Sequence, residues 1–238
     1  MIRITRVDLE EELTRRLNSR TARLTARGAD ARSARRSWKN AVDERAGVKS
    51  ALSRMAVGIE RCMYCGDSRG TDIDHFEPVT FAPLRTFEWP NHLLACSSCN
   101  SNAKRDSFPC NVNGSPLLID PTRDEPSEHL ALAFSEGEYA GTTSKGWKTI
   151  EVFQLNRMDL KVGRTLAFAR CKSMLRDYLR LEATGQIREA ADTRLALEGQ
   201  PFADVLHAMY RVAHLPGAAA VLGGANVLKL LIRWQEDR

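Results

Sequence analysis

The sequence predicts an α+β protein that is mostly helical, with one small unit of two strands and a helix between two helical regions. Three observations predict this class. Two Cys-x-x-Cys pairs flank a stretch that alternates like a strand, the segments on both sides have helical spacing of apolar residues, and 43% of the 238 residues are hydrophobic. A chain of this length can bury a substantial core. We expect a helical region over 1–58, the cysteine-bearing unit over 59–115, an extension over 116–157 and a helical region over 158–238.

Two helices are predicted before the cysteines. In the first, over about 8–27, Asp8 can cap the helix start and leucines recur every four residues. The same helix has a basic face formed by Arg16, Arg20, Arg23 and Arg27. This face is interpreted either as a phosphate-binding surface or as a solvated helix face. The second helix is predicted over about 31–55, with Trp38 as a core anchor.

Four cysteines are predicted to form a metal site. Cys62 and Cys65 make one pair, Cys96 and Cys99 make the other, and 30 residues separate the two pairs. Each pair can direct two thiolates at one tetrahedral Zn²⁺, and four thiolates close its coordination shell. A closed shell leaves no position for a substrate, so this zinc is predicted to be structural.

The residues between the cysteine pairs predict two strands joined by a long loop. Alternating residues over 71–76 favour a strand that ends near His75, and 91–95 favour a second strand. The loop over 79–90 is rich in aromatic residues and is interpreted as a cover of the zinc site or as a DNA-contacting surface. A polar segment over 101–106 is predicted to be helical and completes the unit. Because adjacent strand residues point to opposite faces, we expect a bulge where Asp74 and His75 meet.

Beyond the cysteines the sequence predicts a buried strand over 117–119, a hairpin or loop over 137–145 and then helices. Glycine- and proline-containing breaks separate the helices predicted at 187–197, 203–212 and 227–234. The last of these is apolar, which suits either the core or docking on a partner.

The central unit resembles a known family of nucleases. Asp74-His75, Pro78, Asn91 and the run CSSCN that ends at Asn100 resemble the motif of the HNH endonucleases. The resemblance implies a ββα-metal finger. It makes His75 the general base, Asn91 a brace of the loop between the strands, and Asp74 and Asn100 the ligands of a divalent cation.

The chemistry of these residue types agrees with what the resemblance implies. A neutral imidazole can accept a proton from water near pH 7. Oxygen ligands from Asp74 and Asn100 favour Mg²⁺ or Mn²⁺, which would stabilise the charge on the leaving oxygen of a phosphodiester. Lys104 and Arg105 follow the motif and are expected to contact phosphates, although Asn100 and Lys104 are one residue further apart than in the relatives.

Segments beyond the motif narrow the resemblance. FEWPNHLLACSSCN, PLLIDPTRDEPSEHL and TIEVFQLNRMDL lie within 38–165 and are similar to nucleases of bacterial anti-phage defence systems of the Septu and retron-associated type. This resemblance implies cleavage of DNA, by nicking or double-strand cutting, and an ATPase as the partner that licenses it.

Composition restricts the class of protein further. No apolar run is long enough to span a membrane and the N-terminus lacks the apolar segment of a signal peptide, so we expect a cytoplasmic protein without a membrane partner. The net charge of +5 permits nucleic-acid binding. Two other functions stay open: a zinc-stabilised nucleic-acid-binding or adaptor module that does not cleave, and an HNH nuclease that acts on RNA.

Overall fold

The computed structural model describes residues 1–236 and is mainly helical, which confirms the predicted class. Three helices lead to the first sheet: α1 (Glu11–Ala26), α2 (Ala31–Lys39) and α3 (Val42–Met55). That sheet pairs β1 (Asp72–His75) with β2 (His92–Ala95), and a π-helix (Ser98–Lys104) follows. The later elements are α4 (Pro126–His129), β3 (Leu130–Ala133), β4 (Glu138–Gly141), α5 (Ser144–Phe153), α6 (Met158–Ala183), α7 (Ile187–Gly199), α8 (Ala203–Val212), α9 (Ala218–Leu222) and α10 (Ala225–Glu236).

The single helix predicted over about 31–55 is two helices that break at Asn40 and Ala41. Asp30 caps the first of them, since its side chain accepts a hydrogen bond from the Ser33 amide at 2.8 Å. Ala41 leaves the helical conformation, with φ −90° and ψ 59°, and its side chain is completely buried. The chain therefore turns at this point before α3 begins, although alanine has the highest helix propensity.

The first helix starts later than predicted. α1 begins at Glu11, and its N-cap residue is Glu10, which makes no side-chain cap, so Asp8 does not cap it. Two of its arginines do not face solvent freely, because Arg16 and Arg20 form ion pairs with Glu44 of α3. Half of the predicted basic face therefore joins two helices.

The first sheet is regular. Asp72 pairs with Ala95, Asp74 with Leu93 and His75 with His92, so the expected bulge at Asp74 and His75 is absent from the pairing. Gly70 lies just before β1, where a Cβ atom would come within 2.2 Å of Leu94 Cγ. Only glycine allows this close approach of the chain to β2.

The helical part of the central unit is a π-helix instead of the expected α-helix, and it spans Ser98–Lys104 instead of 101–106. A π-helix contains more residues per turn than an α-helix. It therefore accommodates the extra residue between Asn100 and Lys104.

The prediction of a strand over 117–119 is wrong, although the prediction that this segment is buried is confirmed. Leu118 and Ile119 are completely buried, but the amide of Ile119 donates to Thr149 Oγ1 at 2.9 Å instead of to a neighbouring strand. A strand needs a partner with free backbone groups, and α5 lies there instead.

The C-terminal helices pack directly against the cysteine-bearing unit. Tyr64 stacks on Phe153 with ring centroids 3.9 Å apart, and the Phe202 amide donates to the Gly66 carbonyl at 3.0 Å. Buried side chains from all four predicted regions belong to one hydrophobic cluster. Within residues 1–236, no helix combines the length and the apolar character needed to cross a bilayer.

Candidate metal centre and active site

The four cysteines of the two pairs converge in the interior. Their Sγ atoms all lie within 4.8 Å of one another, and those of Cys65 and Cys96 are 3.9 Å apart. That separation is far too long for a disulfide. It matches the roughly 3.8 Å expected between thiolates that share one tetrahedral metal with Zn–S bonds of about 2.3 Å. The cluster can therefore hold a metal ion such as zinc, as the spacing predicted.

Backbone hydrogen bonds fix the conformation of both cysteine pairs without the help of a metal. The amide of Gly66 donates to the Cys62 carbonyl at 2.9 Å, and the amide of Asn100 donates to the Cys96 carbonyl at 2.9 Å. The amide of Met63 also donates to the Leu94 carbonyl at 2.9 Å, which joins the first pair to β2. Asn100 is therefore held one residue beyond the cluster.

Arg157 lies beside the cysteine cluster. Its guanidinium is 4.0 Å from Cys99 Sγ. Burial lowers the pKa of Arg157, but the charges of the Cys99 and Cys65 thiolates outweigh burial and raise it above its usual value. If a metal holds the four cysteines as thiolates, this arginine would offset part of their negative charge.

His75 ends β1 and is half-buried. Its Nε2 is 3.0 Å from the Thr86 carbonyl oxygen, and its ring meets Trp38 edge to face at 4.8 Å. A carbonyl oxygen can only accept, so Nε2 carries the proton and Nδ1 is left with a lone pair. Burial lowers the pKa of His75 to about 4. The imidazole is therefore neutral at pH 7.

His92 shares the carbonyl that His75 contacts. Its Nε2 is 2.9 Å from the Thr86 oxygen, and its ring stacks on Trp38 at 4.9 Å. The side chain is completely buried and burial lowers its pKa well below the usual value. Complete burial makes His92 a packing residue and leaves no surface of its ring for contact with a nucleic acid.

Asp74 lies in the interior on the other face of β1. Its Oδ2 accepts from the Tyr64 hydroxyl at 2.5 Å, and its Oδ1 accepts from Lys104 Nζ at 2.8 Å. Lys104 is 0% exposed and also donates to the His75 carbonyl at 2.6 Å. The expected contact between Lys104 and a phosphate is therefore wrong, because its ammonium is enclosed and paired with Asp74. Arg105 by contrast is exposed.

Asn91 ties together the loop that joins the two strands. Its Oδ1 accepts from the Glu77 amide at 2.8 Å, and its Nδ2 donates to the carbonyls of Glu77 and Arg85 at 3.1 and 3.2 Å. The side chain is buried. These contacts fit a brace of the loop, and they leave no part of Asn91 for a substrate.

Asp72 is a candidate site residue that the sequence reasoning missed. Its Oδ2 accepts from Asn100 Nδ2 at 3.3 Å and from the Ser101 hydroxyl at 3.2 Å. The signal was present, because residues two apart on a strand share a face and Asp72 therefore lies on the face of Asp74.

One cavity brings most of the predicted site residues together. It has a volume of about 200 Å³ and is lined among others by Asp74, His75, Asn100 and Arg105. Lys104 and Asn91 lie behind its wall. The arrangement is an imidazole with a free lone pair beside oxygen donors and an exposed arginine, next to a cluster able to bind metal.

The fold and site thus define a mainly helical protein with a four-cysteine metal cluster beside a polar cavity. No protein-family model matches the chain. It is similar to Septu protein PtuB of Bacillus mycoides (strain KBAB4), with 29% identity over 148 residues that cover 48% of each chain. It is also similar to Septu protein PtuB of Bacillus thuringiensis, with 28% identity over 177 residues that cover 66% of this chain and 64% of the relative. The matched region thus spans about half to two thirds of these relatives, and the similarity supports the expected relationship to Septu anti-phage defence.

Proposed function

We propose that this protein is a metal-dependent HNH endonuclease that hydrolyses phosphodiester bonds of DNA, as the effector of an anti-phage defence system with an ATPase partner. The observation that carries the proposal is the cavity that His75, Asp74 and Asn100 line together. The defence role is supported by the similarity to the Septu proteins. The ATPase partner rests on the resemblance of the sequence to nucleases of such defence systems.

In this proposal His75 takes a proton from the attacking water. The Thr86 carbonyl holds the proton on Nε2, so Nδ1 is the accepting atom. Burial lowers the pKa of His75 to about 4, which keeps the imidazole neutral at pH 7 but also makes it a weaker base than a free imidazole. Asn91 fixes the loop that carries Thr86, and therefore holds the imidazole indirectly.

The oxygen donors around the cavity fit a hard divalent cation such as Mg²⁺ or Mn²⁺. Asn100 uses Nδ2 to bond Asp72, so its amide oxygen is the atom left to bind a cation together with the Asp72 carboxylate. Asp74 keeps both oxygens engaged by Tyr64 and Lys104, and would contribute through its remaining lone pairs. Such a cation, when bound, stabilises the charge on the leaving oxygen.

The four cysteines would hold a structural Zn²⁺. Their closed thiolate shell leaves no open position, which separates this metal from the hydrolytic one. Because Asn100 follows Cys99 directly, the zinc would fix the start of the π-helix and with it the position of the Asn100 side chain.

The test is cleavage of supercoiled plasmid in Mg²⁺ or Mn²⁺ by the purified protein, alone and as the complex purified with its native partner. We expect relaxed or linear product from the wild type and from His214→Ala, which changes an exposed histidine in the C-terminal helical region. We expect far slower product formation from His75→Ala. If neither the protein nor its complex cleaves DNA or RNA, the proposal is overturned in favour of a binding or adaptor module.

A further inference from the structure

A second cavity adjoins the one beside His75. It has a volume of about 510 Å³ and lies between α3, β1 and the π-helix. The two cavities share Trp38, Ile73 and Asn100 in their walls, so they lie side by side. We call the second cavity the α3 groove; its polar and apolar walls include Trp38, Val42, Arg45, Lys49 and Asp72.

Two basic side chains of α3 line this groove. Arg45 and Lys49 are four residues apart and therefore lie on the same helix face. Lys49 Nζ donates to the Thr71 carbonyl at 2.9 Å, and Arg45 donates to the Lys39 carbonyl at 3.4 Å. Among the ion pairs of residues 1–236, none includes either of them.

Arg45 and Lys49 differ from a neighbouring basic residue whose charge is paired with a carboxylate. Arg20 of α1 forms its ion pair with buried Glu44, so its charge is already neutralised by the fold. Arg45 and Lys49 instead donate hydrogen bonds to backbone carbonyls and form no ion pair within residues 1–236, so no carboxylate contacts their charged groups directly. Basic side chains of this kind bind phosphate groups of nucleic acids.

The same groove also offers apolar surface. Val42 is 66% exposed, and half-buried Trp38 presents part of its indole between the two cavities. Cations combined with an aromatic or apolar platform are typical of sites that hold the phosphate and the base of a polynucleotide strand. The volume of 510 Å³ lies within the range of about 300–1,000 Å³ that small-molecule sites occupy.

We infer that the α3 groove binds the part of the substrate strand that adjoins the scissile phosphate. Arg45 and Lys49 contact backbone phosphates, and Trp38 and Val42 contact the base or sugar between them. The strand then passes from the α3 groove, along Asn100, to His75. This inference rests on the proposed nuclease function and adds a binding site for the strand to it.

The test measures binding in buffer without Mg²⁺ or Mn²⁺, so that it does not depend on cleavage and leaves the four-cysteine site intact. Fluorescence anisotropy with a short single-stranded DNA, the matching RNA and a duplex is recorded over a range of salt for wild type, Arg45→Gln, Lys49→Met and the double variant. We expect each single substitution to weaken binding by roughly threefold to tenfold. Each should also lower the slope of log affinity against log salt by about 0.7 for single strands.

Arg54→Gln is the matched control. Arg54 is an exposed arginine on the same helix, but it lines a cavity toward α1 instead of the α3 groove. We expect its affinity and salt slope to equal those of the wild type. The comparison of DNA and RNA shows which strand the groove prefers.

The inference is overturned if the wild type binds none of the three oligonucleotides, or if the Arg45 and Lys49 variants bind like Arg54→Gln. Its failure is distinguishable from failure of the nuclease proposal. If the protein cleaves plasmid but the Arg45 and Lys49 variants bind as tightly as the wild type, only the binding role of the α3 groove is refuted. If these variants bind more weakly but no form of the protein cleaves, only the nuclease proposal is refuted.

Discussion

Lys104 provides a quantitative test of how the site is built. Its ammonium is enclosed, 2.8 Å from Asp74 Oδ1 and 2.6 Å from the His75 carbonyl. Lys104→Met keeps most of the aliphatic volume but removes the charge, and it leaves the Asp74 carboxylate with the hydrogen bond from the Tyr64 hydroxyl. Breaking a buried ion pair from one side costs about 3–5 kcal/mol, because an uncompensated charge stays in the interior.

The free energy of unfolding from urea denaturation, followed by circular dichroism, measures this effect. The expected loss corresponds to a fall in Tm of roughly 10 °C for a protein of this size. Asp74→Asn combined with Lys104→Met removes both charges, and this double variant should be more stable than Lys104→Met alone. Lys229→Met, at an exposed position of α10, serves as the control and should stay within about 0.5 kcal/mol of wild type.

Equal free energies of unfolding for Lys104→Met and the wild type would show that the buried charge of Asp74 does not need Lys104. A double variant that is less stable than Lys104→Met would also contradict the predicted effect of the ion pair, because it would mean that Asp74 carries no uncompensated charge when Lys104 is absent.

Three further predictions concern metal, pH and the core. Purified protein should contain one zinc ion per chain by elemental analysis. Cys96→Ser should lose this zinc and unfold, whereas Cys171→Ser should keep it. Equal zinc content in both variants would contradict the assignment of the metal site. Because burial lowers the pKa of His75 to about 4, the imidazole stays neutral in weak acid. We therefore expect kcat/KM to stay constant from neutral pH down to about pH 5. A decrease of kcat/KM centred near pH 6.5, about the pKa of a free imidazole, would contradict this. Asp204→Ala should lower the free energy of unfolding in urea by about 3–5 kcal/mol, because it leaves the buried guanidinium of Arg164 without its carboxylate. A decrease below about 1 kcal/mol would count against this ion pair.

Local signals predicted much of the fold. The Cys-x-x-Cys spacing predicted the four-thiolate cluster, since such pairs place two sulfurs on one side of a turn. The helix over 203–212 was predicted with the bounds that the structure gives it. In both cases a short stretch of sequence contains the information.

Features that depend on distant partners could not be predicted. Ala41 adopts a non-helical backbone between α2 and α3 although alanine favours helices, and 117–119 is buried against α5 without a strand to pair with. Lys104 looks like a surface lysine in the sequence, and only the folded chain shows that Asp74 receives its ammonium.

The candidate site shows the same division. His75, Asn91 and Asn100 were predicted from the resemblance to the motif, and His75 and Asn100 line the same cavity. Asp72 was missed because its contact with Asn100 joins two elements that are 28 residues apart in sequence.

Chemical rescue of the His75 variant tests the central claim most directly. The rate of plasmid cleavage is measured for wild type, His75→Ala and His75→Ala supplied with free imidazole, in Mg²⁺ and at pH 7. A general base typically contributes about 10²–10⁴-fold, so the variant should be slower by that factor, and imidazole should restore part of the rate. If His75→Ala cleaves as fast as the wild type, His75 is not the base and the account is contradicted.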